Sequence, residues 1–315
     1  MLQLIENMVN AKSFEQLKLM NIQPTEFLVD NILPKGISLL AGKPKAGKSY
    51  FLLAIAMSLS NGITFLNENT KQNKILFFAF EDNEIRLKSR INSIDPNIKL
   101  NNVYYEHYKH IKEYKTPIKE IMEDYIINHD VKLIIIDTFG KYKLLIPTNK
   151  ERDDYMKELK IISELKDLAD KYFISILLSH HEGKTPRTED VFDGILGSTG
   201  IFATVDTALI LHRKRNDDNA VLYIASRDGD ENQINLLFQN HIFYRINSAS
   251  DTQNSLSPES LKIFNAIPSQ YPISITDLQK IFEDKNKNTL RNLLYKLVNN
   301  GYIVTLKKGL FQKRS

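Results

Sequence analysis

The sequence predicts an α/β protein, with a mostly parallel central sheet covered by helices on both faces and a small separate domain after it. Three observations carry this expectation. From Gly36 to Leu59, "GISLLAGKPKAGKSYFLLAIAMSL" reads as a buried strand, a glycine-studded turn and an apolar helix. Beyond it, apolar runs alternate with amphipathic stretches, the pattern of strand–helix–strand units that build parallel sheets. Near Ser248 the texture changes to polar "SASDTQNSLS", which has no periodicity and reads as a linker.

The elements follow in order. "KILFFAF" is a strand ending at Glu81-Asp82, and "NEIRLKSRINSI" is an amphipathic helix. "TPIKEIMEDYIINH" is a second helix, "KLIIIDT" a strand, and "KERDDYMKELKIISELKDLADKY" a long helix entering the strand "FISILLSH". "ATVDTALILHR", "AVLYIASR" and "INLLFQ" are strands in close succession, and their short connections suggest antiparallel additions at one edge. Three helix patterns then follow, "PESLKIFNAI", "ITDLQKIFED" and "KNTLRNLLYKLVNNG", before two short strands around Lys307-Lys308-Gly309. The predicted organisation is an N-terminal arm over 1–30, a core over 31–247, a linker over 248–256 and a C-terminal domain over 257–315.

Composition narrows the classes. The chain has 315 residues, is 42% hydrophobic and contains no cysteine, so packing must stabilise it without disulfides or thiolate metal sites. The N-terminal stretch lacks the basic start and continuous apolar run of a signal peptide. No apolar run approaches the roughly 18 residues of a membrane span, so the expectation is a cytoplasmic protein with no membrane partner. Net charge is +4 but unevenly spread. From Ser257 onward ten Lys/Arg stand against four acids, leaving the rest of the chain slightly acidic. A basic module attached to a near-neutral core is the pattern to explain.

The turn in the first segment fits G-x-x-x-x-G-K-[ST]. Gly42, Lys43, Pro44, Lys45, Ala46, Gly47, Lys48, Ser49 and Tyr50 form the candidate nucleotide-binding stretch. Glycines let the backbone curl so that consecutive N–H groups face phosphate oxygens, Lys48 reaches the β- and γ-phosphates, and the Ser49 hydroxyl binds Mg²⁺. The following helix adds its N-terminal dipole. ATP and Mg²⁺ are therefore the expected ligands. Asp137 ends a buried strand downstream, where an acid either holds the Mg²⁺ shell or simply begins the next turn. Glu81 also ends a strand, where a carboxylate activates the attacking water or is a solvated strand-end acid. Ser179, His180 and His181 end a third strand; a polar side chain there touches the γ-phosphate, the alternatives being a metal site or a surface pair. Adjacent strand residues face opposite ways, so the two histidines are not expected to chelate one ion together. Arg213, Lys214, Arg215 and Arg227 are candidates for a cation reaching a neighbour's nucleotide, or are solvated charges.

Read together, "LPKGISLLAGKPKAGKS", "FFAFED", "IIIDTFGK", "LLSHHEGK", "DGILGSTGIFATVDTALIL" and "SRDGDE" occur in the order seen in RecA-like ATPases. From about Phe27 to Arg245 the chain resembles the RepA and DnaB type, the ring-forming replicative helicases, nearest the RepA-like branch of plasmids, phages and other mobile elements. The resemblance implies a RecA-like P-loop NTPase core. It implies Glu81 as catalytic glutamate, Asp137 as Walker B aspartate, His180 at the γ-phosphate-sensing position and Arg227 as the arginine acting between subunits. Ala225 departs from the pattern, standing where a lysine precedes that arginine, which keeps Arg213 and Arg215 as rivals. The three helices and hairpin at the C-terminus resemble a winged helix-turn-helix. The implied activity is ATP-driven unwinding by a hexameric homo-oligomer on single-stranded DNA. Lys141 and Lys143 after Asp137, with Lys184 and Arg187 after the histidines, are candidate phosphate contacts. Arg291, Lys307 and Lys308 would contact duplex DNA, unless this domain instead docks a primase or initiator. The alternative reading of the whole is an ATP-switched DNA-binding regulator or recombination mediator without unwinding activity.

Overall fold

The computed structural model describes residues 12–21, 24–147, 154–181, 204–227, 231–246, 258–268, 272–283, 285–299, 303–307 and 309–313. The linker placed at 248–256 lies outside them, as do Lys184, Arg187 and Lys308 and the start of the N-terminal arm.

Strands β1 (Phe27–Val29) and β2 (Leu33–Pro34) form a small antiparallel pair ahead of the main sheet. The main sheet comprises β3 (Gly36–Gly42), β4 (Lys74–Ala79), β5 (Val103–His107), β6 (Val131–Asp137), β7 (Ser175–His181), β8 (Thr207–Arg213), β9 (Asn219–Ser226), β10 (Glu231–Gln239) and β11 (Ile242–Arg245). Across the sheet the order is β11-β10-β9-β8-β3-β7-β6-β4-β5. The pairs from β8 through β5 are all parallel, and those from β8 out to β11 are antiparallel. This is the RecA-like P-loop NTPase core the sequence predicts. One strand corrects the sequence reading. β8 was expected among the antiparallel additions, yet it pairs parallel to β3, with Ser38 opposite Thr207 and Ala41 opposite Ile210. Short spacing to the next strand makes β9 antiparallel to β8 but says nothing of how β8 meets β3. The edge strand β5 was missed, because "VYYEH" has no continuous apolar run, with Tyr105 exposed and the polar Glu106 and His107 buried.

Period-two alternation assigns the core to two faces. Leu133 and Ile135 of β6 join a cluster on one side with Phe51, Leu52 and Ile55 of helix α2 (Lys48–Asn61) and Leu87 of α3 (Glu84–Ile94). Ile134 and Ile136 point the other way, into a cluster with Met122 and Ile126 of α5 (Ile118–His129) and Ile162, Leu165 and Leu168 of α7 (Asp154–Tyr172). The short helices α4 (Tyr108–Glu113) and α6 (Phe139–Tyr142) cover the same side. Helix α1 (Phe14–Leu19) precedes them all and carries a Ser13/Gln16 capping box.

α2 is apolar round most of its circumference because it is enclosed on both sides. Phe51 meets Phe65 at 5.1 Å and Phe243 of β11 at 5.5 Å, both edge-on. β10 and β11 join through Asn240 and His241, at φ 50° and 67°, the two-residue primed turn that matches strand twist.

The C-terminal residues form a unit with its own core. α8 (Pro258–Ala266), α9 (Ile275–Ile281) and α10 (Lys287–Asn299) pack through Ile263, Phe264, Leu278, Leu290, Leu294 and Leu297. β12 (Ile273–Ser274), β14 (Leu310–Lys313) and β13 (Ile303–Lys307) make a three-stranded antiparallel sheet in that order. β12 was missed by the sequence reading, since two residues carry no periodicity. Among the described residues no helix is long and apolar enough to cross a membrane.

Candidate nucleotide site

β3 delivers the chain into the turn Gly42–Gly47, and α2 begins at Lys48. Lys45 and Gly47 lie in left-handed backbone, at φ 70° and 107°. Such a fold turns successive N–H groups toward one concavity, an anion nest at a helix N-terminus. Gly47 is required for a second reason. A Cβ there would sit 2.8 Å from the Phe243 ring, so the β10–β11 hairpin backs directly onto the loop.

Lys48 is buried, and its ammonium is folded back onto the loop. Nζ donates to the Gly42 carbonyl at 2.6 Å and the Lys43 carbonyl at 3.2 Å, and lies 3.0 Å from His181 Nδ1. An ammonium has no lone pair to offer, so Nδ1 accepts and the ring's proton sits on Nε2. Nε2 is 3.7 Å from Glu81 Oε1, the same oxygen that accepts from Thr138 Oγ1 at 3.0 Å. Lys48, His181, Glu81 and Thr138 thus form one chain of polar contacts from the phosphate loop to the ends of β4 and β6.

Asp137 is buried at the end of β6 and accepts from Ser179 Oγ at 2.5 Å. Burial raises its carboxyl above the usual range, against hydrogen bonds from Ser179 and Ser49 that lower it. The residues fit a hard divalent cation. Asp137 and Ser49 offer oxygen donors side by side, and a buried carboxylate gains most from a neighbouring positive charge. Among the described residues no cluster of three or more His, Asp or Glu could hold a metal on its own. Mg²⁺ is bound by one or two protein oxygens and completed by water and phosphate, and Asp137 with Ser49 would supply that pair.

The sequence reading placed His180 in the site, and the geometry corrects this. On β7 the side chains alternate, and Ser179 shares its face with His181. His180 points to the other face, where its ring meets Phe139 edge-on at 6.4 Å. Burial, then the charges of Lys143 and Lys48, depress it to about 4, so it is neutral at physiological pH. Lys143, expected to contact DNA, is paired with Glu158 and lies 5.5 Å above the Phe139 ring. Lys141 remains exposed at the end of α6. His181→Ala should lower turnover by about 10²-fold through loss of Glu81 positioning, while His180→Ala leaves it nearly unchanged. Steady-state hydrolysis of both variants checks this.

The arginines divide between the two ends of the sheet. Arg213 ends β8 beside the loop, where Nε donates to Ala46 O and one Nη to Lys45 O, each at 3.0 Å. Its other Nη donates to Asp217 O at 2.9 Å, and the guanidinium lies 4.4 Å over the Phe238 ring. This clasp holds the outward carbonyls of the loop in its own chain. Arg213→Ala should raise KM for ATP about tenfold with little change in kcat, as expected for the loss of charge-assisted hydrogen bonds that act on binding alone. Arg215 is exposed in the following turn. Arg227 sits at the opposite end. Its N–H donates to Asp206 O, Asp206 N–H donates to Ile37 O at the start of β3, and its guanidinium is 4.0 Å from Asp206 Oδ1. The length of β3 separates it from the loop, roughly 20 Å.

The pocket beside the loop has a volume of about 430 Å³ and extends from Lys48, Glu81 and Asp137 past Tyr50 to Phe238 and His241. Tyr50 stacks on His241 at 4.6 Å, and Arg90, paired with Asp82, lies 5.4 Å from the Tyr50 ring. His241 and Phe238 were not anticipated. They lie far along the chain, and only the hairpin brings them to the loop.

A phosphate nest, a lysine at its close, two carboxylates at neighbouring strand ends and an oxygen pair for a cation define a P-loop ATPase. The family described as an AAA domain matches residues 7–187, more than half of the chain, and the protein belongs to that family. Among solved structures, a KaiC-like protein from the hyperthermophilic archaeon Pyrococcus horikoshii is similar over 71% of this chain and 100% of its own, at 10% identity and a TM-score of 0.49. No curated protein matches by sequence.

Proposed function

We propose that this ATPase is a ring-forming translocase on single-stranded DNA, working as a replicative helicase for a plasmid, phage or other mobile element. One observation carries the reading. The strand-end arginine Arg227 lies at the far end of the sheet from its own phosphate loop, while Arg213 is spent on loop carbonyls. An Arg227 that serves a γ-phosphate does so in a second copy's site, and its placement supports hydrolysis at subunit interfaces.

Within one interface the residues divide the work. The loop N–H groups and Lys48 bind the phosphates, and Lys48 must leave the carbonyls of Gly42 and Lys43 to do so. Ser49 and Asp137 would hold Mg²⁺, which neutralises phosphate charge when bound. Glu81, oriented by Thr138, takes the proton of the attacking water. His181 links Lys48 to Glu81, so a phosphate that draws Lys48 away also releases His181. Lys141 supplies an exposed cation for the DNA backbone.

A forked duplex with single-stranded tails tests the reading. Strand displacement should require hydrolysable ATP, and single-stranded DNA should stimulate hydrolysis. DNA-stimulated hydrolysis without displacement would favour a recombination mediator or switch, and hydrolysis indifferent to DNA would remove DNA from the account.

A further inference from the structure

We propose that the C-terminal unit is a winged helix-turn-helix whose helix α10 reads duplex DNA by sequence, so that the ATPase carries its own site-recognition element. This goes beyond the motor reading above and does not depend on it. The inner face of α10 is fully committed, with Leu290, Leu294 and Leu297 buried in the unit's core. The outer face presents Lys287, Asn288, Arg291, Asn292 and Tyr295, all exposed, at spacings of three and four residues that align them along one side. Their chemistry is that of base-edge recognition. Arginine is the commonest bidentate partner of guanine and asparagine of adenine, and both are reached through the major groove.

Charge complementarity selects nucleic acid over a protein partner. α10 contains no Asp or Glu. Of the nearby acids on the described residues, two are engaged elsewhere and Glu283 is exposed in the turn before α10. Glu259 is paired with Lys285 at 2.9 Å, and Asp277 accepts from Ser274 at 2.7 Å and pairs with Lys280 at 3.1 Å. Neither Lys287 nor Arg291 has an ion pair among the described residues.

The start of α10 is fixed, as a groove reader requires. Asn286 Oδ1 accepts from Thr289 N at 2.8 Å and caps the helix where it would enter the DNA. From Lys287 to Tyr295 the face spans roughly 12 Å of helix, enough for about four base pairs. The β13–β14 hairpin exposes Lys307 and turns at Gly309, with φ 80°, a wing suited to the adjacent phosphate backbone.

The test uses the full-length protein and a pool of random-sequence 30-base-pair duplexes, selected by binding and followed by anisotropy titrations. Selection should recover a short motif. Asn288→Ala/Asn292→Ala should cut discrimination between motif and scrambled duplexes about tenfold or more, while leaving scrambled-duplex affinity in place. Lys287→Ala/Lys307→Ala should weaken both duplexes alike and reduce the salt slope by about two. All these side chains are exposed and lie outside the nucleotide site, so ATP hydrolysis without DNA should match wild type, and far-UV circular dichroism should report intact folding of the C-terminal unit. If no motif emerges and both double variants bind duplex like wild type, the proposal fails and this face serves a protein partner.

Discussion

Lys48→Ala is expected to abolish ATP hydrolysis and to weaken nucleotide binding by about 10²-fold or more. Lys48 is the buried cation at the mouth of the nest, and its ammonium already makes three contacts there. Two of them are carbonyl oxygens, which an incoming phosphate would replace with full negative charge. A charge-assisted contact in a part-buried site contributes about 1.5–3 kcal/mol, and bonds to both the β- and γ-phosphates are lost together. The substitution also strands His181, whose Nδ1 loses its donor. Isothermal titration with a non-hydrolysable ATP analogue and a phosphate-release assay read the two effects separately. Near-native binding in this variant would mean that the loop amides alone hold the nucleotide.

Glu81→Gln should bind ATP as well as wild type yet lose about 10²–10⁴-fold in turnover, the range for removing a general base. The amide keeps the size of the carboxylate and can still accept from Thr138 Oγ1, so geometry is preserved while basicity is lost. The side chain is part-exposed at the end of β4, which lets it meet a water on the phosphate side of the pocket. Single-turnover hydrolysis with bound ATP separates chemistry from binding. Native turnover in Glu81→Gln would transfer the role of base to another group, Asp137 being the nearest alternative carboxylate in the same pocket.

Much of this site was legible in the sequence, for a physical reason. In a parallel sheet, function gathers at the carboxyl ends of strands, and those ends show as polar residues closing apolar runs. Glu81, Asp137 and the phosphate loop all carry that signature. The choice between His180 and His181 did not, because a two-residue alternation fixes opposite faces without saying which face holds the loop. The parity was recoverable from Ser179, which had to face Asp137, but only once the pairing of β6 with β7 was known. Phe238, His241 and Phe243 were invisible as site residues. They reach Gly47 and Tyr50 through the β10–β11 hairpin, a contact nearly two hundred positions distant in sequence. Arg213 was named as a rival for action between subunits, and its clasp on Lys45 and Ala46 ties it to its own chain. The C-terminal helices were readable from their periodicity, and β12 emerged only from its pairing with β14.

The division of labour between Arg227 and Lys48 is the centre of the account, and mixing variant subunits tests it most directly. Arg227→Ala subunits keep an intact loop but offer no charge to a neighbour, and Lys48→Ala subunits do the reverse. Each alone should be nearly inactive in ATP hydrolysis. Mixed in equal amounts, they should regain a substantial fraction of wild-type activity, because some interfaces then join an intact Lys48 to an intact Arg227. The same mixture made with Arg213→Ala in place of Arg227→Ala should show no activity beyond the sum of its parts, since that clasp acts within one chain. An absence of rescue with Arg227→Ala, under conditions where the subunits assemble, would contradict catalysis shared between copies.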